Sequence, residues 1–84
     1  MTSVTVYTTD YCPYCDAAKA FLDQKGIPYE EVSVNEPEAK MALKQRTGWM
    51  TVPQIFFGDE LIGGYQELVA LEHSGELNEK LSAT

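Results

Sequence analysis

The sequence predicts an α/β domain in which helices flank a four-stranded mixed sheet. The first observation is a strand, a helix and a second strand that follow one another between residues 4 and 34. Such a unit is parallel and right-handed. The second observation is a pair of short apolar strands on either side of Gly58-Asp59, which is typical of an antiparallel hairpin. A parallel pair and an antiparallel pair together form a mixed sheet.

The first strand is predicted over residues 4–7, where β-favouring residues partly alternate. The first helix is expected from about Pro13 to Gln24, because its apolar residues form a stripe that can lie on a sheet: Ala17, Ala18, Phe21 and Leu22. Gly26 suits the position just after the helix, and Pro28 prevents the helix from continuing.

The second strand is expected over residues 29–34. Asn35 is predicted to start the second helix, with Glu38 as the other half of a capping box and Pro37 in the first turn. Gly48 should stop this helix near residue 47. The hairpin strands are predicted at 55–57 and 60–62, followed by a helix over about 65–72 and a short terminal helix.

Composition and charge restrict the possible functions. The 84 residues favour one small domain spanning 1–84, and 13 acidic against 6 basic residues give a net charge of −7. Nucleic-acid binding is not expected, because phosphate neutralisation requires clustered Lys and Arg. We find no secretory leader and no apolar run approaching the ~18 residues of a membrane span. We therefore expect no membrane association and a cytoplasmic, reducing location.

Both cysteines, Cys12 and Cys15, lie where the first strand gives way to the first helix. Cys12 falls at or next to the first helical position, where unpaired N–H groups and the helix dipole stabilise an anion. That anion is the thiolate, the form that attacks disulfides. Cys15 lies one turn further in and should be less exposed. The spacing predicts a redox pair with one attacking and one resolving thiol.

Three other interpretations of the cysteine pair are weaker. A structural zinc site needs about four ligands, whereas only Cys12, Cys15 and His73 are obvious candidates. A structural disulfide across so short a loop would stabilise little. Two buried, inert cysteines fit poorly with the polar run Thr8-Thr9-Asp10 just before them. In a reducing compartment, such a pair is more often catalytic than structural.

Three motifs together resemble those of a dithiol glutaredoxin. They are Cys12-Pro13-Tyr14-Cys15, Thr51-Val52-Pro53 and Gly63-Gly64, in this order along a βαβαββα pattern. The resemblance covers about residues 3–82. It implies a thioredoxin-like fold and an enzyme that reduces protein disulfides and protein–glutathione mixed disulfides. Glutathione would be the co-substrate, and no metal is expected.

The resemblance also implies roles for individual residues. Cys12 matches the nucleophile and Cys15 the resolving thiol, and the bond before Pro53 should be cis. The Val52 backbone would pair with the cysteine of glutathione, and Lys40 would face its glycine carboxylate. The positions implied to contact glutathione are Cys12, Tyr14, Lys40, Thr51, Val52, Pro53, Gly64, Tyr65 and Gln66.

The chain departs from the family pattern at three places. Thr9 stands where many members carry a lysine, and Gln66 stands where an aspartate often accepts from the γ-glutamyl ammonium. Glu67 is the acidic residue that can partly replace that aspartate. Asp10 and Asp16 flank the cysteine pair, and like charge opposes thiolate formation. We therefore expect weaker glutathione binding, by about 0.2–1 kcal/mol for each lost exposed ionic contact.

Other functions remain as alternatives. One is a redoxin supplied by thioredoxin reductase that donates electrons to ribonucleotide reductase. A second is a [2Fe–2S] carrier that bridges two chains through Cys12 and two glutathiones, because Trp49 resembles the single-cysteine branch of the family. A third is a binding domain without redox activity. The expected partners are glutathione, glutathionylated proteins and disulfide substrates, with the protein acting as a monomer.

Overall fold

The computed structural model describes residues 3–82. The predicted α/β fold with a four-stranded mixed sheet is confirmed, and element boundaries shift by at most two residues. In chain order the elements are β1 (Val4–Thr8), α1 (Pro13–Gln24), β2 (Glu30–Ser33), α2 (Pro37–Thr47), β3 (Gln54–Phe57), β4 (Glu60–Gly63), α3 (Tyr65–Ser74) and α4 (Leu77–Ser82). Within the described residues, no helix has the length and apolar character needed to cross a bilayer.

The order of the strands determines which loops meet. The sheet runs β2-β1-β3-β4, with β1 parallel to β2 and antiparallel to β3. Tyr7 near the end of β1 pairs with Gln54 at the start of β3. The loop that leaves β1 therefore lies beside the loop that enters β3, so the two cysteines come close to Thr51-Val52-Pro53.

One face of the sheet carries the core. Residues at every second position of β1 and β3 are buried, as expected for strands whose side chains alternate between faces. The apolar stripe predicted for α1 packs there through Ala18 and Leu22, both fully buried. The core cluster consists of Val4, Val6, Ala18, Leu22, Ile55, Phe57, Leu68 and Leu77. On the opposite face, Tyr7 and Phe56 meet edge to face with ring centroids 5.6 Å apart.

The capping box predicted for α2 is wrong. Pro37 is the first helical residue, so the N-cap is Glu36, and its side chain makes no capping bond. The Asn35 side chain instead turns to the loop after β1, where its Oδ1 accepts a hydrogen bond from the Asp10 N–H at 2.7 Å. This bond ties the segment before Cys12 to the start of α2. Gly48 ends α2 in the left-handed region, at φ 74°, as predicted.

Candidate active site

Cys12 occupies the N-cap of α1. Its backbone is extended, at φ −115° and ψ 100°, and Pro13 opens the helix. The Cys15 N–H donates to the Cys12 Sγ at 3.0 Å. A backbone donor at a helix start favours an anion at this position. When the disulfide is opened, this contact and the helix dipole therefore favour a thiolate on Cys12.

Cys12 and Cys15 are joined by a disulfide, with their Cα atoms 5.1 Å apart. Cys15 is 1% exposed, whereas Cys12 is partly exposed. An external thiol or disulfide can therefore reach only the Cys12 sulfur directly. This difference in exposure is the one expected of an attacking and a resolving thiol.

The loop before β3 lies against the cysteine pair. The Val52–Pro53 peptide bond is cis, and the Val52 carbonyl oxygen lies 4.0 Å from the Cys12 Sγ. Among residues 3–82, no group accepts a hydrogen bond from the Val52 N–H. An extended peptide uses such unpaired backbone groups when it adds to an exposed edge. The Val52 backbone is therefore open to a peptide whose sulfur sits at Cys12.

A groove of about 360 Å³, here called the Gly64 groove, runs from this loop to the start of α3. It brings together all of the positions implied to contact glutathione except Cys12 and Lys40. Trp49 and Glu67 also line it. The lining residues are Tyr14, Trp49, Thr51, Val52, Pro53, Gly64, Tyr65, Gln66 and Glu67.

The far end of the Gly64 groove is the N-terminus of α3. The Gly64 N–H donates to Glu67 Oε1 at 2.9 Å, so this donor is already satisfied within the chain. The next N–H groups, of Tyr65 and Gln66, have no intrahelical partner because of their position. Glu67 thus caps α3 and also places a carboxylate in the groove. The N–H groups open to a ligand carboxylate are those of Tyr65 and Gln66.

A second groove of about 310 Å³, here called the Lys40 groove, lies on the other side of the same loop. It shares Thr51 and Val52 with the Gly64 groove, so the two meet beside Cys12. Lys40 therefore lies outside the Gly64 groove but shares Thr51 and Val52 with the positions that line it. The lining residues are Thr9, Val34, Lys40, Leu43, Lys44, Met50, Thr51, Val52 and Gln54.

The sequence offers little reason to select Lys44 or Gln54. The only signal for Lys44 is its spacing of four residues from Lys40, which puts both on one side of a helix. Gln54 is fully buried, and its Nε2 donates to the Trp49 carbonyl oxygen at 2.9 Å. Gln54 thus holds the loop between α2 and β3 in place from beneath, a role visible only in the structure.

The rim around Cys12 is aromatic and apolar. Tyr11 is fully exposed and has a left-handed backbone, at φ 57°. Tyr14 is 59% exposed and Met50 is 67% exposed. Exposed aromatics and methionine are enriched in contact surfaces. Contact between partner proteins and the exposed side chains of Tyr11, Tyr14 and Met50 is therefore a prediction.

Hydrogen bonds to the Glu31 carboxylate hold the end of β1, just before the loop that leads to Cys12. The buried Thr8 hydroxyl donates to Glu31 Oε2 at 2.7 Å, and the Lys19 ammonium donates to the same oxygen at 3.0 Å. These bonds lower the pKa of Glu31, the hydroxyl contributing most, and Glu31 in turn raises the pKa of Lys19. Thr8 stands four residues before Cys12 and Lys19 four residues after Cys15, so their shared partner Glu31 holds both ends of the segment that carries the cysteines.

No group of three or more His, Cys, Asp or Glu side chains among residues 3–82 has the arrangement of a metal site.

The family model for glutaredoxins matches residues 4–62. The chain belongs to the glutaredoxin family. It is 43% identical over 84 residues to a glutaredoxin of Pseudomonas aeruginosa, covering 99% of this chain and 100% of the relative. It is 42% identical to glutaredoxin 3 of Escherichia coli over 79 residues, covering 93% of this chain and 95% of the relative. This glutaredoxin is accordingly a thiol–disulfide oxidoreductase with a thioredoxin-like fold.

Solved glutaredoxin structures superpose closely on the fold. The solution structure from Brucella melitensis has a TM-score of 0.84 at 39% identity, covering all of this chain and 95% of that one. The crystal structure of a buckwheat glutaredoxin–glutathione complex has a TM-score of 0.86 at 32% identity. That match covers 96% of this chain and 77% of the buckwheat chain.

Proposed function

We propose that this glutaredoxin uses glutathione to reduce protein–glutathione mixed disulfides and protein disulfides through Cys12 and Cys15. The observation that carries the proposal is the pair of grooves that meet at Val52, within 4.0 Å of the Cys12 sulfur. A peptide thiol can reach Cys12 there while its two ends lie in different grooves. The solved buckwheat relative, which binds glutathione, supports the same ligand for this chain.

The proposed pose follows from the chemistry of each groove. The cysteine of glutathione pairs with the Val52 backbone, which has open hydrogen-bonding groups. The γ-glutamyl end occupies the Gly64 groove, where the N–H groups of Tyr65 and Gln66 receive its carboxylate. The glycine carboxylate points into the Lys40 groove. Tyr14, Thr51 and Pro53 form walls of the Gly64 groove.

Removal of glutathione from a protein needs only Cys12. Its thiolate attacks the glutathione sulfur, a new S–S bond forms, and the target protein leaves as a thiolate that takes a proton from water. The thiolate of a second glutathione then attacks the sulfur of the Cys12-bound glutathione. Oxidised glutathione leaves and Cys12 is again a thiolate, so the two electrons that reduce the substrate come from glutathione, which is oxidised to its disulfide.

Reduction of a protein disulfide needs both cysteines. Cys12 attacks one sulfur of the target, and the released target thiolate takes up a proton. Cys15, one turn along α1, then loses its proton and attacks the Cys12 sulfur, which frees the second target thiol. The product is the Cys12–Cys15 disulfide seen in the structure. Two glutathione molecules reduce it in successive exchanges, and the family's potential of about −200 to −230 mV permits this.

The setting of the reaction is also part of the proposal. We place the protein in the cytoplasm as a monomer, because each chain carries both cysteines and both grooves. A reducing compartment keeps such pairs available for exchange. Glutathionylated proteins and disulfide enzymes, ribonucleotide reductase among them, are the proposed partners.

Two substitutions test the assignment. Cys12→Ser should abolish both activities in a glutathione-coupled assay. Cys15→Ser should retain deglutathionylation and lose reduction of protein disulfides. Turnover by Cys12→Ser would refute the assignment of the nucleophile. Loss of deglutathionylation in a folded Cys15→Ser variant would refute the one-cysteine route.

Three further measurements separate the alternatives. Turnover supported by thioredoxin reductase, but not by glutathione with glutathione reductase, would favour the redoxin function. A brown colour with visible absorption after anaerobic purification would favour the [2Fe–2S] carrier. Cys12 that does not react with iodoacetamide at neutral pH would favour a binding domain.

A further inference from the structure

The basic residues of this acidic protein are nearly all engaged within the chain. There are 6 Lys and Arg residues in total. Three lysines form ion pairs with glutamates: Lys19 with Glu31, Lys25 with Glu72 and Lys80 with Glu60. Arg46 donates to the Tyr7 hydroxyl at 3.0 Å and lies over the Tyr7 ring, 5.4 Å from its centroid.

The remaining two, Lys40 and Lys44, differ from the others. No carboxylate among residues 3–82 lies within ion-pair distance of either ammonium. Both lysines line the Lys40 groove. Their spacing of four residues on α2 places them on the same side of the helix, where like charges repel. Two neighbouring cations without a counterion thus face a groove beside the reactive sulfur.

Thr9 lies in the same groove. The family resemblance implies a lysine at this position in many members, and threonine brings no charge there. Lys44, one helical turn after Lys40, supplies a cation to the groove from a different element. The charge missing from the loop after β1 is therefore present on α2.

We propose that Lys44 joins Lys40 in binding the glycine carboxylate of glutathione and replaces the cation absent at Thr9. The inference rests on the proposed function, since it assigns the glycine end of that ligand. It makes Lys44 a specificity-determining residue: it should favour thiols that carry a carboxylate on the C-terminal side of the reacting cysteine. It should contribute nothing to thiols that end at that cysteine as an amide, because these carry no carboxylate there.

The test compares two substrates that differ only at this end. A fluorescent cysteine peptide is joined by a disulfide to glutathione or to γ-glutamylcysteine amide, which lacks the glycine and its charge. Each adduct is mixed with excess reduced protein, and the second-order rate of peptide release is measured. With both adducts the Cys12 thiolate attacks the sulfur of the small thiol, a new disulfide forms there, and the same peptide thiolate leaves.

Lys44→Gln should lower the rate with the glutathione adduct about 1.4- to fivefold, the range expected for one exposed ionic contact. The rate with the amide adduct should not change. Lys44→Arg should restore the glutathione rate, because the charge is kept. The loss should shrink at about 1 M salt, where the Debye length is about 3 Å.

Lys80→Gln is the matched control. It makes the same change in net charge but lies on α4, paired with Glu60, at the end of the sheet opposite Cys12. Lys80→Gln should change the rate of peptide release only slightly, and by the same factor for both adducts. Equal rates for wild type and Lys44→Gln with the glutathione adduct, or an equal loss with both adducts, would overturn the assignment of Lys44. If the wild-type protein itself released no peptide from the glutathione adduct, the result would refute the proposed function and not the assignment of Lys44 alone.

Discussion

Gly63→Ala should destabilise the protein through a steric conflict at the base of the Gly64 groove. Gly63 ends β4 with φ at 124°, a region that side chains rarely adopt. A Cβ added there would lie 2.8 Å from the Cγ of Glu67. The Glu67 side chain would have to swing away and give up the 2.9 Å bond from the Gly64 N–H.

The size of the effect can be worked from these two terms. A strained backbone of this kind costs about 1–3 kcal/mol, and the lost hydrogen bond about 0.5–1.5 kcal/mol. We expect Gly63→Ala to lower the free energy of unfolding by about 2–4 kcal/mol. A domain of this size is stable by about 4–13 kcal/mol, so at the middle of that range the variant keeps more than half of its stability and folds. Its Tm should fall by about 10–25 °C.

Urea unfolding followed by circular dichroism measures the loss, and two controls isolate its cause. Gly75→Ala places a Cβ at φ 81° with no atom within 4 Å, so it should show only the backbone cost of about 1–2 kcal/mol. In a Glu67→Ala background the 2.8 Å contact with Cγ and the cap are already removed, and only the 3.1 Å contact with the Cβ of residue 67 remains. Gly63→Ala should then cost at least 0.5 kcal/mol less than in the wild type, roughly the value of one hydrogen bond. A Gly63→Ala variant as stable as Gly75→Ala, with no coupling to Glu67, would refute the reasoning.

Three further variants probe the frame of the site. Leu22→Ala should cost about 2–5 kcal/mol in urea unfolding, since Leu22 is fully buried in the core; a loss under 1 kcal/mol would contradict its placement. Glu31→Gln should lower Tm at pH 7. The hydrogen bonds from Thr8 and Lys19 lower the pKa of Glu31 below its ordinary value of 4.5. The stabilisation that the Glu31 carboxylate gives the folded state is therefore fully present above pH 4.5 and is lost as the carboxylate takes up a proton at lower pH. The Tm difference from wild type should therefore shrink in acid, and a difference that grows would contradict this. Tyr7→Phe should cost no more than about 1 kcal/mol, because its Arg46 partner is exposed; a larger loss in thermal unfolding would show a role beyond that bond.

The elements of the fold were predictable because their signals are local. Gly48 stops α2 through its own backbone preference, and Pro13 fits the first turn of α1 whatever surrounds it. The one failed local prediction, Asn35 as a cap, shows the limit. The Asn35 side chain could bond either to the start of α2 or to the loop after β1. Because α2 begins at Pro37, Asn35 is not the N-cap, and its side chain accepts from the Asp10 N–H instead.

The site divides in the same way. The sequence by itself determined the reactive pair, because Cys12 and Cys15 lie within one helical turn and their geometry depends only on α1. Only the tertiary structure decided what surrounds them. The pairing of β1 with β3 brings Val52 to the sulfur, and the packing of α2 and α3 assigns Lys44 to one groove and Glu67 to the other. Electrostatic and steric contacts between side chains act over a few ångströms. The distance in space between two side chains that are far apart in sequence depends on how the elements pack, so the sequence does not reveal these contacts directly.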